Sequence, residues 1–263
     1  MVLVSCSSAP QPDTESGSEG LDIGGIDLDQ YSTVSAQLDF EKGIVTLPID
    51  AIRRDSAQVT ELRDQARRAL VDTCARASGL PSVAWAPFSQ INLDGRLYGL
   101  WSVSLATRYG FEMADESVKS NRSDDESLCF ASAKEAMAGV APDSYSLDDQ
   151  ISSSAYDAVQ MSDEGKAARA AAQACMTDEG LVIDPDSGHP RSDASAGNSE
   201  ANIRIAVIEA TCNVETGAIQ TLYDLTARYQ AALIDRNEAA AVVLAEQKAE
   251  LIAGYQKIIN ESK

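Results

Sequence analysis

Histidine, aromatic residues and long apolar runs are all scarce in this chain, and each scarcity argues against a class of function. His189 is the sole histidine among 263 residues, which leaves little material for zinc binding or for histidine-dependent catalysis. Aromatic residues make up 5% of the chain while alanine is abundant, which favours helices over sheets. No run of about 18 apolar residues occurs, so we expect any membrane attachment to use an anchor and not a spanning helix.

Basic residues are also few. The chain has 21 lysines and arginines against 41 aspartates and glutamates, which gives a formal net charge of −20. Such a charge repels phosphate backbones, so we predict that nucleic acid is not a partner. The apolar fraction of 44% is enough for a packed core, so the body is predicted to be globular.

The sequence carries none of the motifs that mark common active sites. His189 lies in a turn pattern at residues 187–190, and no G-x-S-x-G elbow accompanies it. No phosphate loop or dinucleotide fingerprint is present. Asp22, Asp27 and Asp29 miss the spacing of a calcium loop and are interpreted as part of an acidic linker. We therefore predict that the protein is not an enzyme and uses no cofactor and no metal.

The N-terminus contains a short lipidation pattern. Residues 3–6 read Leu-Val-Ser-Cys, which resembles the lipobox at the end of a bacterial lipoprotein signal peptide. Residues 1–6 are interpreted as that end, with Cys6 as the lipidated residue, because the two acyl chains of a diacylglyceryl cysteine suffice for stable anchoring. A whole signal peptide also needs basic and apolar segments. We expect either that these two segments lie upstream of Met1 or that the N-terminus has been trimmed.

Residues 7–42 are predicted to form a flexible acidic tether. The segment after Cys6 is rich in serine, proline, glycine, threonine and acidic residues, and the first basic residue is Lys42. A segment of this composition buries too little surface to offset the entropy lost on ordering. Such a tether would hold the body away from the bilayer.

Four further cysteines suggest a disulfide framework, since an even number in an exported chain is typical of paired thiols. Their wide spacing and the single histidine disfavour zinc. The alternative is four buried free thiols in a cytoplasmic helical protein. These cysteines are Cys74, Cys129, Cys175 and Cys212.

A sequence motif that occurs twice favours one of the three possible disulfide pairings of these four cysteines. The pattern C-x4-G-L starts at Cys74 and again at Cys175, each near the end of an amphipathic helix with glycine at the left-handed C′ position. Each is followed by a loop-rich stretch and then a second cysteine. We therefore predict bridges Cys74–Cys129 and Cys175–Cys212 within two related helical units, residues 43–145 and 146–216.

The predicted fold class is mainly α: a disulfide-stapled helical body with short extended segments and a long C-terminal helix. Apolar residues at spacings of three and four predict the body helices, and residues 44–48 predict a short strand. Residues 217–263 are assigned to the long helix, whose near-heptad pattern weakens around residues 235–237. It is expected to project, to kink there or to pair with another chain. The predicted body helices cover residues 56–78, 124–138, 147–160, 162–178 and 199–212.

Tyr98, Trp101, Arg108 and Tyr109 form the candidate binding surface. Aromatic and arginine side chains together suit recognition of a peptide, a glycan or a partner protein. The alternative is that the aromatic rings pack beneath the loop while neighbouring glycines make turns.

A series of short motifs resembles a family of exported lipoproteins of Gram-positive actinobacteria that has no established activity. The resemblance covers residues 44–215, although the family tends to have methionine where Ala75 follows Cys74. It implies an extracellular location, disulfides and an accessory role beside a transporter. The motifs, in chain order, are residues 46–51, Cys74-x4-Gly79, Tyr98-Gly99, residues 108–111 and residues 174–180.

The function predicted from the sequence is that of a lipid-anchored binding or accessory module on the outer face of the cell membrane. Its predicted partners are the membrane, through the anchor, and an envelope or transporter protein. The alternative is a structural or assembly protein that uses the C-terminal helix as a coiled-coil arm.

Overall fold

The structure is a computed structural model that describes residues 20–81, 83, 85, 96–111, 124–138, 147–192 and 199–262. Cys6 and the first part of the predicted tether, residues 7–19, lie outside the described residues. None of the helices in the described ranges combines the length and apolarity needed to cross a membrane.

The described residues form a mainly helical protein, which confirms the predicted fold class. The two strands, β1 (Gln37–Asp39) and β2 (Ile44–Thr46), make a small antiparallel hairpin in which Leu38 pairs with Val45. Single turns of 3-10 helix occur at Leu28–Tyr31 and Pro48–Ala51. The α-helices are α1 (Ala57–Ala77), α2 (Val103–Tyr109), α3 (Asp124–Ala138), α4 (Leu147–Met161), α5 (Asp163–Asp178), α6 (Glu200–Glu215), α7 (Ala218–Arg236) and α8 (Glu238–Glu261).

Helix α7 lies at the centre of the main core. It packs against α4, α5 and α6 and against both 3-10 turns, so it buries residues on several faces. Tyr223 and Leu225 of α7 belong to one apolar cluster with Ile151 of α4 and with Trp101, which lies in the loop before α2. Its buried polar residues have partners: Thr226 shares a hydrogen bond with Tyr98, and Gln230 accepts one from the Ile49 amide.

The predicted long C-terminal helix is present as α8, and the chain breaks at the polar residues where a kink was one of the expectations, so residues 218–236 form the separate helix α7. Asn237 separates α7 from α8 with non-helical backbone angles, and its side-chain amide donates to the Leu233 carbonyl at 2.8 Å. The alternative of a projecting arm is wrong, because α8 packs on α1: Leu251 and Tyr255 are buried against Val59.

Residues 20–42 belong to the folded body, which corrects the tether boundary. The Leu21 amide donates to Ser154 Oγ at 2.8 Å, and the Ala36 amide donates to Asp224 Oδ1 at 2.8 Å. Arg236 binds the carbonyls of residues 22 and 24. Apolar side chains from residues 21–28 cover the main core. Although residues 20–42 are acidic, they contain enough apolar side chains to pack on the main core.

The two predicted cysteine units share their packing, so the boundaries at 145/146 and 216/217 do not separate bodies. Helix α2 of the first unit packs on α6 of the second, and the main core combines residues from 36–52, 98–101, 151–159 and 219–244. Sequence similarity between the two cysteine motifs was a local signal, whereas the core is built from contacts far apart in the chain.

Both predicted bridges are confirmed. Cys74–Cys129 joins α1 to α3, with the Cα atoms 5.5 Å apart, and Cys175–Cys212 joins α5 to α6, with the Cα atoms 5.6 Å apart. Each bridge links neighbouring helices.

The two C-x4-G-L motifs also have matching backbone geometry. Gly79 and Gly180 adopt φ angles of +68° and +85° as left-handed C′ residues. The following leucine amides donate to carbonyls five residues back, Leu80 to Ala75 and Leu181 to Met176, both at 2.9 Å. This is the Schellman pattern expected of glycine at that position.

Candidate functional site

The four residues of the predicted binding surface do not lie together on the surface. Trp101 is 1% exposed and makes an edge contact with Tyr223, and Tyr98 is 6% exposed. Arg108 and Tyr109 are more accessible at the end of α2, where the guanidinium lies 5.1 Å from the ring centroid. The packing alternative therefore holds for Trp101, and a surface built from all four residues is wrong.

Tyr98 instead lines a cavity of about 340 Å³ that reaches the turn at residues 185–189. Its hydroxyl shares a hydrogen bond of 2.7 Å with Thr226 Oγ1, and burial raises the pKa of Tyr98 above its ordinary value. Tyr156 from α4 stacks on Tyr98, with the ring centroids 5.6 Å apart. Helices α5, α6 and α7 supply the other walls. The cavity is at the small end of the range for ligand sites.

The turn at the mouth of the cavity is shaped by its own backbone. Asp184 Oδ1 accepts hydrogen bonds of 3.0 Å from the amides of Asp186 and Ser187, and these amides lower the pKa of Asp184. The Asp184 amide donates to the His189 carbonyl at 2.8 Å. Gln173 of α5 donates to the Gly188 carbonyl at 3.1 Å. The turn is therefore held against α5, and its last side chain is placed over α6.

His189 pairs with a buried carboxylate. Its Nδ1 lies 3.0 Å from Oε1 of Glu209, which is 2% exposed. Because an ionised carboxylate only accepts hydrogen bonds, Nδ1 carries the proton and Nε2 is left for other partners. The hydrogen bond to Glu209 raises the pKa of His189, against the opposing effect of partial burial. The sequence predicts the turn around His189 and disfavours catalytic and zinc roles for it, but no pattern in the chain predicts this pairing.

The loop at residues 98–100 fits closely around this pair. Gly99 has φ +93°, and a Cβ at that position would overlap Glu209 Oε1 and lie 3.0 Å from His189 Cε1. The Leu100 amide approaches Glu209 Oε1 at 3.4 Å, and Asn213 Nδ2 donates to the Leu100 carbonyl at 2.7 Å. Glycine is therefore required at position 99 both for its backbone angle and for the space.

Arg169 contributes a positive charge to the cavity wall. Its Nη2 donates to the Gln160 carbonyl at 2.7 Å, near the C-terminal end of α4. Its Nη1 is buried and has no hydrogen-bond partner. In the described part of the chain, no carboxylate forms an ion pair with this guanidinium.

Helix α6 carries a sequence pattern that indicates this site. Asn202, Ala206, Glu209 and Asn213 recur at spacings of three and four and are all buried. An acid and two amides on the buried stripe of a helix require polar partners. Within the described ranges, no three His, Cys, Asp or Glu side chains converge on a metal position.

No family model, no curated protein and no solved structure matches this chain. The resemblance to actinobacterial lipoproteins therefore stays a prediction.

Proposed function

We propose that this protein is an exported binding module, held on the outer face of the cell membrane by a diacylglyceryl group on Cys6, and that the cavity beside His189 is its ligand site. The observation that carries the export proposal is the use of the cysteines. Four of the five cysteines pair in two bridges, which leaves Cys6, in its lipobox pattern, as the remaining thiol.

The bridges support an oxidising location. Structural disulfides persist in exported proteins and are rare in the cytosol, where thiols are kept reduced. The bridges here close long loops, with sequence separations of 55 and 37 residues, and each joins a pair of packed helices. They are therefore structural crosslinks. The cytoplasmic alternative requires four free thiols, whereas these four side chains form two disulfides.

The cavity supports a binding role over an assembly role. It combines an aromatic wall, a paired His189–Glu209 and the guanidinium of Arg169, which is the mixture of apolar surface and few polar groups typical of ligand sites. In contrast, Leu251 and Tyr255, part of the pattern that suggested a coiled-coil arm, are buried on α1 of the same chain. Little of that pattern is left to pair with a second chain.

Detergent phase partition of the protein expressed in a Gram-positive host, behind a lipoprotein signal segment, tests the anchor. We expect the wild-type chain in the detergent phase and Cys6→Ser in the aqueous phase, because only the former carries acyl chains. Ser7→Ala is the matched control, since it changes the neighbouring residue and keeps the thiol. Partition of Cys6→Ser into detergent would contradict the proposal.

A further inference from the structure

Arg169 is a cation without a counter-ion at the cavity wall. One of its terminal nitrogens donates to a backbone carbonyl and the other is buried without a partner, while no carboxylate of the described residues forms an ion pair with it. Guanidinium groups in partly buried positions are usually paired, because burial of an unpaired charge is costly. An anionic group of a ligand would supply the missing charge.

The other charged groups of the cavity limit how much negative charge a ligand can bring. Glu209 is an acid that already accepts hydrogen bonds from His189 and from the Leu100 amide, so it repels a second anionic group and does not bind it. Asp186 stands exposed at the mouth. Its carboxylate and the net charge of −20 disfavour ligands with several negative charges. A single negative charge therefore fits best.

The rest of the cavity suits an apolar body. The stacked rings of Tyr98 and Tyr156 are joined in the lining by Leu97, Met176 and Leu222. Aromatic faces bind flat apolar groups through offset or edge contacts. A volume of about 340 Å³ admits a ring-sized molecule and is too small to enclose a peptide or glycan chain.

From these features we propose that the ligand is a small monocarboxylate with an apolar or aromatic body, its carboxylate facing Arg169 and its body lying against Tyr98 and Tyr156. This inference rests on the proposed binding role and adds the chemical class of the ligand. It names the positive group that would distinguish an acid from a neutral molecule of the same shape.

The first test compares benzoate with benzamide on the full chain carrying Cys6→Ser, at matched ionic strength. The two probes have nearly the same shape and differ in charge. His189 is the sole histidine, so its imidazole resonances report on the cavity without ambiguity. We expect benzoate to bind about tenfold or more tightly than benzamide. We also expect benzoate, but not benzamide, to raise the pKa of His189, because a nearby negative charge favours the imidazolium.

Arg169→Gln tests the assigned residue. We expect it to reduce benzoate affinity about tenfold or more and to leave benzamide affinity nearly unchanged, while Arg169→Lys retains part of the preference for the acid. Arg204→Gln is the matched control, because Arg204 is exposed on α6 and does not line the cavity. The wild-type comparison stands even if Arg169→Gln fails to fold.

The outcomes separate this inference from the binding role. Equal binding of benzoate and benzamide, or an unchanged preference in folded Arg169→Gln, would overturn the carboxylate assignment and leave the binding role standing. Failure of both benzoate and benzamide to bind would overturn both. Acetate, which lacks the apolar body, is expected to bind more weakly than benzoate; equal affinities would contradict the assignment of the aromatic wall.

Discussion

His189 donates its Nδ1 proton to a buried acid, and this pairing gives the molecule a specific dependence on pH. The pKa of His189 in the folded chain is raised by the hydrogen bond to Glu209, relative to about 6.5 in an unfolded chain. Its stabilising contribution is therefore fully present below about pH 6.5 and is lost as the pH rises through the folded-state pKa. The His189 side chain is 47% exposed, so water screens the pair and the contribution is small.

Nuclear magnetic resonance titration of His189 measures this pKa directly. We expect a value above 6.5 in the wild-type chain and a lower value in Glu209→Gln, which keeps the shape and removes the charge. Glu215→Gln is the matched control, because Glu215 is an exposed acid on the same helix. A wild-type pKa at or below 6.5, or an equal change in both variants, would show that Glu209 does not set the pKa.

Gly99 is predicted to be less tolerant of substitution than Gly180, although both have positive φ. Gly99→Ala places a methyl group against Glu209 Oε1 in addition to straining the backbone, whereas Gly180→Ala strains the backbone with nothing within 4 Å. We expect a loss in the free energy of unfolding of about 1–2 kcal/mol for Gly180→Ala and at least about 1 kcal/mol more for Gly99→Ala. Urea denaturation measures both, and equal losses would refute the close approach at position 99.

No single residue of the His189–Glu209 pair marks the site in the sequence. His189 lies in a polar turn that resembles many surface turns, and Glu209 lies 20 residues later in a different element. Nothing in the chain order places them together. The buried acid on the α6 stripe was the one local sign that a partner exists.

At the scale of elements, local chemistry predicted most helices well. Ser102, Ser162 and Ser199 accept a hydrogen bond from the amide three residues later at the starts of α2, α5 and α6, as N-cap serines do. The observed bounds of α1, α3, α4 and α5 agree with prediction within a residue. The packing of residues 20–42 on the body was not predicted. Amino-acid composition indicates the entropy cost of ordering a segment, but it does not show whether the body offers a surface on which the segment can pack.

Helix α8 is predicted to contribute to the stability of the body through its contact with α1. Leu251→Ala removes a side chain that is 5% exposed, and we expect a loss of about 2–4 kcal/mol in the free energy of unfolding. Val243→Ala on the same helix removes a side chain that is 49% exposed and should change stability by less than about 0.5 kcal/mol. Equal effects in urea denaturation would mean that α8 is not docked.

At the scale of the whole molecule, the two bridges restrain the unfolded chain. Loops of this length correspond to about 4 kcal/mol each in the chain-entropy description, and measured values are often lower. We expect the paired substitutions Cys74→Ala with Cys129→Ala, and Cys175→Ala with Cys212→Ala, each to lower the free energy of unfolding by about 2–4 kcal/mol. Unchanged stability in either double variant would contradict a structural role for that bridge.

The pairing of the cysteines was predictable, whereas the arrangement of the units was not. The repeated C-x4-G-L pattern predicted two equivalent helix ends. Both ends are present, at Gly79 and Gly180, and in each the following leucine amide donates to the carbonyl five residues back. The position of α7 in the middle of the body depends on contacts between residues up to about two hundred positions apart. Periodicity along the chain carries no information about such contacts.

The mass of the N-terminal peptide of the mature protein, isolated from the cell envelope, shows whether Cys6 carries the proposed lipid anchor. We expect a peptide that begins at Cys6 and carries the added mass of a diacylglyceryl group, with Cys74, Cys129, Cys175 and Cys212 recovered in the two assigned bridges. An unmodified Cys6, or a mature peptide that still contains the residues before it, would contradict the anchor and with it the proposed place of the protein on the membrane.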